Sequence, residues 1–279
     1  MAVINTQQLL NTISKLSNQQ SNRKVEEIQR EMICTPLKAF FPNVSQEQIY
    51  YELLGNGLFD HTEIIEVNKV VKELEEKKIW LIVEAEYERL KLLWNGPEVP
   101  IYIYPLTKYR PILEGIEVNK NGVTYNDVLF LFVTPELVET ELKALLAHEY
   151  HHICRLAFLN KLPKEMMLLD SLIIEGMAEC AVEELYGEQW LSPWTKSYSI
   201  EEAMMIWRKR FVPVLNLKGV KNHRSFLYGD GSKELPNWIG YCIGYKIVQS
   251  FLKKRGFLEQ HILYKTLADK IVEESDFKI

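Results

Sequence analysis

Residues Ala147-His148-Glu149-Tyr150-His151-His152 follow the pattern H-E-x-x-H, with two histidines four residues apart and a glutamate directly after the first. Helical residues at this spacing lie one turn apart on the same face, so His148 and His152 can bind one metal ion together. Glu149 lies beside them, where its carboxylate can take a proton from a water that the metal activates. A third ligand from elsewhere would complete a catalytic zinc site and leave a position for that water. The candidate is Glu175.

Helical periodicity surrounds this pattern and extends beyond it. Thr134-Pro135-Glu136 predicts a helix start, because an N-cap residue is followed by proline and by an acid in the first turn. Asn160 predicts the end of this helix. A second helix is predicted from Pro163 to Gly187, and it carries Glu175 and Glu179 four residues apart on one face. The segment between the helices is long enough to lay one against the other.

Each of these residues also has an ordinary structural interpretation. A histidine pair on an exposed helix face gives the same pattern, and a bare H-E-x-x-H also arises by chance. Glu175 and Glu179 could belong to a solvated acidic face, since Glu183 and Glu184 follow them. The second helix is apolar on nearly all sides, however, so a glutamate at its middle is expected to be buried and to need a partner. Motif and context together favour the zinc site.

His151 is a rival for His152 as a ligand, because it lies three residues from His148. The established geometry pairs histidines four residues apart with the glutamate directly after the first, so His152 is kept as the ligand. His151 is expected either to support a ligand from outside the metal's coordination shell or to lie at the surface.

The segments LLAHEYHHICRL, LIIEGMAECAVEELYG and LPNWIGYCIGYKIV, in the second half of the chain, resemble known metallopeptidases. An H-E-x-x-H helix followed by a helix with E-G-x-A-E is similar to the gluzincins. The three segments together look like a bacterial family of predicted zinc-dependent proteases without a firmly known substrate. The resemblance implies that His148, His152 and Glu175 are the zinc ligands. It also implies that Glu149 is the general base. Glu179 matches an acid that orients a ligand histidine in thermolysin-like enzymes, in which aspartate often occupies this position.

The composition is that of a globular protein with one or two domains. The chain has 279 residues, of which 47% are hydrophobic, enough to bury a sizeable core. Its net charge of -5 gives no basic footprint for nucleic acid. The four cysteines are widely spaced and include no C-x-x-C pair. We therefore expect them to be buried thiols in a protein of a reducing compartment. Neither a signal peptide nor a membrane-spanning stretch is evident, so a cytoplasmic location is expected.

The order of predicted elements indicates an α+β fold that is predominantly helical. Residues 1–97 are expected to form a helical N-terminal region and residues 98–279 a zincin-like metallopeptidase domain. In the second region, β-prone runs at Val99–Leu106 and Val128–Val133 precede the H-E-x-x-H helix. A small sheet is therefore expected directly before the pair of active-site helices.

Two further strand features concern turns and substrate binding. A hairpin is predicted over residues 116–125 with its turn at Asn121-Gly122, because Asn-Gly is a strong hairpin signal. In zincins, an edge strand beside the zinc helix commonly pairs with an extended substrate. Val128–Val133 or a neighbouring strand is the candidate here, although its unbroken apolar run also suits a core strand buried on both faces.

The C-terminal motif supplies candidates for a further catalytic role. Gly240 and Gly244 lie four residues apart, a spacing that lets another backbone approach closely. Peptide hydrolysis builds an oxyanion that needs a hydrogen-bond donor besides the metal. Tyr241, Tyr245 and His223 are the candidates, although the pattern favours an ordinary core or surface position for each one taken alone.

These features predict zinc-dependent hydrolysis of a peptide bond. Zinc held by His148, His152 and Glu175 would lower the pKa of its water toward neutrality. Glu149 would accept the proton and hand it to the leaving amine. A catalytically inactive zinc-binding interaction module would keep the ligands, but the intact Glu149 argues against it. A hydrolase of a non-peptide amide would share every one of these residues.

Overall fold

The computed structural model of the chain describes residues 2–17, 22–109, 118–125, 127–256 and 260–279. By their contacts the residues group into two compact units. The first unit comprises Met1–Arg89 and Glu98–Glu149, and the second comprises Leu90–Pro97 and Tyr150–Ile279. The division into two domains at residue 98 remains a prediction.

Helices occupy the chain before the sheet: α1 (Thr6–Ser17), α2 (Asn22–Leu37), α3 (Gln46–Asn56), α4 (Ile64–Glu76) and α5 (Ile79–Trp94). The last two lie where apolar periodicity predicts helices, over Ile64–Lys78 and Leu81–Leu93. Helix α5 ends at Asn95, which has a left-handed φ of 48°, a conformation that asparagine tolerates better than most residues. The helical character expected before residue 97 is therefore confirmed.

A small sheet follows, made of β1 (Ile101–Pro105), β2 (Lys120–Tyr125) and β3 (Val128–Val133). The strand order is β1-β3-β2, with β1 parallel and β2 antiparallel to β3. Strand β3 is the central strand, and all its residues are buried. This position explains its unbroken apolar run and confirms the core interpretation. The predominantly helical α+β fold class is likewise confirmed.

The predicted turn at Asn121-Gly122 is wrong. Both residues lie inside β2, where they pair with Phe132 and Leu131 of β3. Residues 116 and 117, the start of the predicted hairpin, lie outside the described residues. The ladder with β3 overrides the local turn preference of Asn-Gly, because it satisfies the backbone donors and acceptors of β2.

The two faces of β2 have different surroundings, as alternation along a strand requires. Val123 and Tyr125 point to one face and pack against an apolar core that the first unit builds from helices and sheet. Gly122 and Thr124 point to the other face. The strand residues of that core alternate in the same way: Tyr102, Tyr104, Val128, Phe130 and Phe132.

The H-E-x-x-H segment lies in a long helix, α6 (Glu139–Leu159). Its start lies later than the predicted start at Thr134, because Thr134 and the next residues form a separate turn in which the Leu137 N–H donates to the Thr134 carbonyl. The end agrees with prediction. Asn160 has a φ of 47°, and its N–H donates to the Leu156 carbonyl at 2.9 Å.

The second predicted helix is α7 (Leu168–Tyr186). It begins five residues after Pro163, because the preceding residues form their own turn and the Asp170 carboxylate accepts the Met167 N–H at 3.0 Å. It ends at Gly187, as predicted, with the Gly187 N–H on the Glu183 carbonyl. Nearly every residue of α7 through Val182 is buried, which agrees with its apolar sequence on all sides.

The remaining helices belong to the second unit: α8 (Ile200–Ile206), α9 (Arg224–Tyr228), α10 (Ile239–Arg255), α11 (Gln260–Leu263) and α12 (Ala268–Glu274). Helix α10 packs closely on α7. A Cβ on Gly176 would collide with the Gly244 carbonyl, and a Cβ on Gly244 would collide with the Leu172 carbonyl. Gly240 likewise meets the backbone of the α9 segment. The close backbone approach predicted for Gly240 and Gly244 is confirmed.

The cysteines and the helices of the structure can be compared with what the composition predicts. All four cysteines are free and buried, and burial raises the pKa of the Cys154 thiol to about 12. They therefore pack as small apolar groups, as expected. Within the described part of the chain, no helix has both the length and the apolar character needed to cross a membrane.

Replacing Gly176 by alanine is expected to destabilise the protein, because the new Cβ would collide with the backbone of α10. We expect a loss of about 1–3 kcal/mol in unfolding free energy, the usual cost of overpacking. Gly55→Ala is the matched control, since Gly55 lies in α3 with nothing within 4 Å of its Cβ position and alanine favours a helix by about 1 kcal/mol. Urea denaturation measures both variants. Equal effects of the same sign would contradict the close packing of α7 on α10.

Candidate metal centre

Helices α6 and α7 bring the three predicted ligands together. Helix α6 places His148 and His152 one turn apart on one face, and α7 carries Glu175. One ligand atom from each residue lies within 4.8 Å of the other two. In the ranges that the structure describes, no other group of three histidine, cysteine, aspartate or glutamate side chains has this arrangement.

The distance between two of the three ligand atoms is compatible with a zinc ion. The Nε2 atom of His152 lies 3.5 Å from Oε2 of Glu175. Two donors that each bind a tetrahedral zinc at its usual bond length lie roughly 3.3–3.5 Å apart. Their side chains are 11% and 17% exposed, so water can reach the group. An ion pair between a protonated His152 and Glu175 would also account for this one distance, but two imidazoles and a carboxylate are a donor set that zinc prefers.

Glu149 is buried beside the first histidine and lies against β2. It is 7% exposed. The Thr124 hydroxyl lies 2.8 Å from Glu149 Oε2 and 3.0 Å from the Glu149 carbonyl oxygen. Gly122, on the same face of the strand, leaves the space that the carboxylate occupies. The carboxylate predicted to act as the base therefore has a defined position.

Glu179 is buried one turn after Glu175 on α7. Its Oε2 accepts the Ser192 N–H at 3.1 Å. This bond ties α7 to the segment that follows it and supplies one of the partners that a buried carboxylate requires. The role predicted for Glu179, orienting a ligand histidine, remains a prediction.

His151 is a core residue, so the expectation that it could lie at the surface is wrong. It is fully buried. The Trp94 and Tyr264 rings meet it edge to face, with centroids at 5.2 Å and 6.2 Å. The Tyr264 hydroxyl donates to the Trp94 carbonyl at 3.0 Å, which joins these two aromatic residues. His151 does not belong to the group that can hold a metal ion.

His223 is buried in a hydrogen-bonded position next to the start of α7. Its Nε2 lies 2.9 Å from the Leu217 carbonyl oxygen, and its Nδ1 lies 2.8 Å from the Ser171 hydroxyl. A carbonyl only accepts, so Nε2 carries the proton and Nδ1 accepts from Ser171. Burial lowers the pKa of His223, which favours the neutral form of the ring. Both ring nitrogens are engaged.

The two tyrosine candidates on α10 differ in their surroundings. The Tyr245 hydroxyl donates to Glu183 Oε2 at 2.9 Å and accepts from the Gln249 amide at 2.6 Å. Burial, and then the bond to Glu183, raise the pKa of Tyr245. Tyr241 is half-buried and lies within an aromatic cluster whose other members are Trp194, Tyr228 and Trp238.

The role of an oxyanion donor remains a prediction for Tyr241, Tyr245 and His223. For Tyr245 and His223, it would require the hydrogen bonds described above to break or to be shared.

Sequence reasoning missed Gly122 and Thr124 as residues of the centre. It assigned Asn121-Gly122 to a turn, although a glycine inside a strand pattern can also mark a close approach by another group. The usable signal was the β-prone run from Val123 onward, because the strand in the structure includes Gly122 and begins at Lys120. The contact of Gly122 and Thr124 with Glu149 joins residues about two dozen positions apart, so no local sequence pattern predicts it.

Comparison with known proteins adds a family and two relatives. A family model described as "Predicted Zn-dependent protease (DUF2268)" matches residues 79–273. The uncharacterized protein YjaZ of Bacillus subtilis (strain 168) is 34% identical over 203 residues, which cover 72% of this chain and 76% of the relative. The uncharacterized protein YjfC of the same strain is 25% identical over 238 residues, 80% of this chain and 78% of the relative. No solved structure matches the chain significantly.

The buried His223 is expected to make stability depend on pH. Because its folded-state pKa lies below the usual 6.5, the unfolded chain binds its proton more readily, and stability falls as pH drops below about 6.5. One proton contributes at most about 1.4 kcal/mol per pH unit. His223→Gln should reduce this slope, and urea denaturation between pH 7.5 and 5.0 measures it. The comparison cancels the other histidines, which both proteins retain. Identical slopes would show that His223 takes up its proton equally well in both states.

Proposed function

The chain belongs to this family of predicted Zn-dependent proteases, and we propose that it hydrolyses peptide bonds at the centre formed by α6 and α7. One observation carries the proposal. A ligand atom from each of His148, His152 and Glu175 lies within 4.8 Å of the other two, and Glu149 directly follows the first of these residues. This is the residue set that metal-assisted hydrolysis requires.

In this proposal, His148, His152 and Glu175 hold one zinc ion. When bound, zinc supplies a Lewis acid that polarises the scissile carbonyl group and makes water a stronger acid. Glu175 is supported as the third ligand by the 3.5 Å between its Oε2 and Nε2 of His152. The buried apolar surroundings of α7 add to this support, because a carboxylate there is stabilised by a cationic partner.

Glu149 acts as the general base. Its carboxylate accepts a proton from the attacking water and then gives that proton to the nitrogen of the leaving amine. The burial of Glu149 and its bond to Thr124 support this role, because a general base must be held at a fixed place relative to the substrate. Proton transfer by a well-placed side chain contributes about 10²–10⁴-fold to the rate.

The substrate is an extended peptide that pairs with β2. Strand β3 is paired on both sides, so it has no edge to offer, and the neighbouring strand is the better candidate. Strand β2 pairs with β3 along one edge, and among the described residues no strand pairs along the other. Because Glu149 lies against β2, main-chain hydrogen bonds along this strand would place a peptide near the base.

The purified protein is expected to hold about one zinc per chain, because three convergent ligands define one site. Glu175→Ala should nearly abolish zinc affinity, since it removes a direct ligand. Glu179→Ala should cost only about 10–100-fold, the usual effect of losing a group that supports a ligand. Chelator competition on both variants measures this difference. Equal losses, or a larger loss at Glu179, would mean that the two carboxylates have exchanged roles, and absence of zinc from the wild type would refute the site.

Glu149→Gln is expected to keep zinc and lose hydrolysis. The amide preserves the shape of the side chain but cannot accept the proton, so turnover should fall about 10²–10⁴-fold. Cleavage of an unbiased peptide library, with zinc content measured on the same samples, tests this. Undiminished cleavage by the variant would exclude Glu149 as the base. Zinc-loaded wild-type protein that cleaves no peptide would instead favour an interaction module or a hydrolase of a non-peptide amide.

A further inference from the structure

We propose that Thr124 and Gly122 of strand β2 are positioning residues that fix the orientation of the Glu149 carboxylate. The inference rests on the proposed role of Glu149 as the base and extends it to the strand that holds it. Residues two apart in a strand point to the same face, so both residues present the same side of β2 to Glu149.

Thr124 fixes one carboxylate oxygen. Its hydroxyl lies 2.8 Å from Oε2 and 3.0 Å from the carbonyl oxygen of the same glutamate. A hydroxyl carries a single hydrogen, so it donates fully to one of these acceptors at a time. A bond to an ionised carboxylate is stronger than a bond to a neutral carbonyl, so Oε2 is the favoured acceptor. The second oxygen of the same carboxylate is Oε1.

Gly122 makes room for that second oxygen. An alanine Cβ at this position would lie about 2.5 Å from Glu149 Oε1, closer than two non-bonded atoms can approach. Gly122 does not have a positive φ angle, so the backbone conformation does not require glycine here. Glycine also weakens a strand interior. The space occupied by the carboxylate is therefore the physical reason for a glycine at this position.

Contacts beside these two residues hold the strand in place. The Asn121 amide donates to the Asn56 carbonyl at 2.8 Å, and the Tyr125 hydroxyl donates to Glu52 Oε1 at 3.1 Å. Val123 packs on the apolar core of the first unit. A strand anchored through alternate residues can orient a long, flexible glutamate side chain because it does not itself move with that side chain.

The first test compares Thr124→Val with Thr124→Ser in the zinc-loaded protein. Valine keeps the shape and removes the hydroxyl, so kcat should fall at least about 10-fold, with KM and zinc affinity within about 2-fold of wild type. Serine restores the hydroxyl and should recover most of kcat. Wild-type kcat in the valine variant would overturn the proposal, and so would weakened zinc binding, which would place the effect at the metal.

The second test uses thermal stability and needs no turnover. Gly122→Ala should lower Tm by about 3–8 °C, because the new methyl group collides with the carboxylate. In a Glu149→Ala background that space is free, so the same substitution should lower Tm by less than half as much. An equal loss in both backgrounds would overturn the assigned contact. If the losses differ but the zinc-loaded wild type hydrolyses nothing, the contact stands and the catalytic purpose proposed for it is refuted.

Discussion

The close approach of α7 to α6 is the constraint on which this centre depends. Helix α7 is buried on nearly all sides, and a carboxylate in such a helix is costly unless a partner compensates for the lost water. At Glu175 the partner is His152, 3.5 Å away. Gly176 of α7 and Gly244 of α10 have no side chains, so these two helices can approach closely. The two glycines thus help to determine where Glu175, the proposed metal ligand next to Gly176, lies.

A second constraint concerns the strand next to α6. The face of β2 that carries Gly122 and Thr124 meets Glu149, while the alternate residues are tied to the apolar core and to α3. Because successive side chains of a strand point to opposite faces, one face of β2 can contact Glu149 while the other is anchored, without any special backbone geometry. Sheet pairing, core packing and the position of the Glu149 carboxylate are therefore coupled within six residues. A substitution on either face of β2 is therefore expected to change the position of the Glu149 carboxylate.

Much of this arrangement follows from sequence patterns whose physics is local. The spacing of His148 and His152 places them on one face of any helix, and the apolar run of Val128–Val133 identifies a strand buried on both sides. Asn160 and Gly187 end their helices because both tolerate backbone conformations that most residues avoid. Glu175 is predicted as the third ligand because a glutamate inside an apolar helix needs a partner, and because the E-G-x-A-E pattern resembles that of the gluzincins.

The expectations that failed have two causes, contacts with residues distant in sequence and short turns before the helices. Asn121-Gly122 has the strongest local preference for a turn, yet pairing with β3 holds both residues in a strand. His151 has no local signal of burial, because Trp94 and Tyr264, which surround it, come from far earlier and later in the chain. Helix starts were predicted early for α6 and α7, since short turns before them carry similar residues. Local propensity describes the conformation that an isolated segment favours, and tertiary contacts determine which conformation it adopts in the folded protein.

The most direct test of the centre is a crystal structure of the zinc-loaded protein with anomalous diffraction measured on both sides of the zinc absorption edge. We expect one strong zinc peak bound by a ring nitrogen of His148, a ring nitrogen of His152 and a carboxylate oxygen of Glu175, each at about 2.0–2.2 Å. A zinc peak bound by other residues, or no peak in protein that is saturated with zinc in solution, would contradict it.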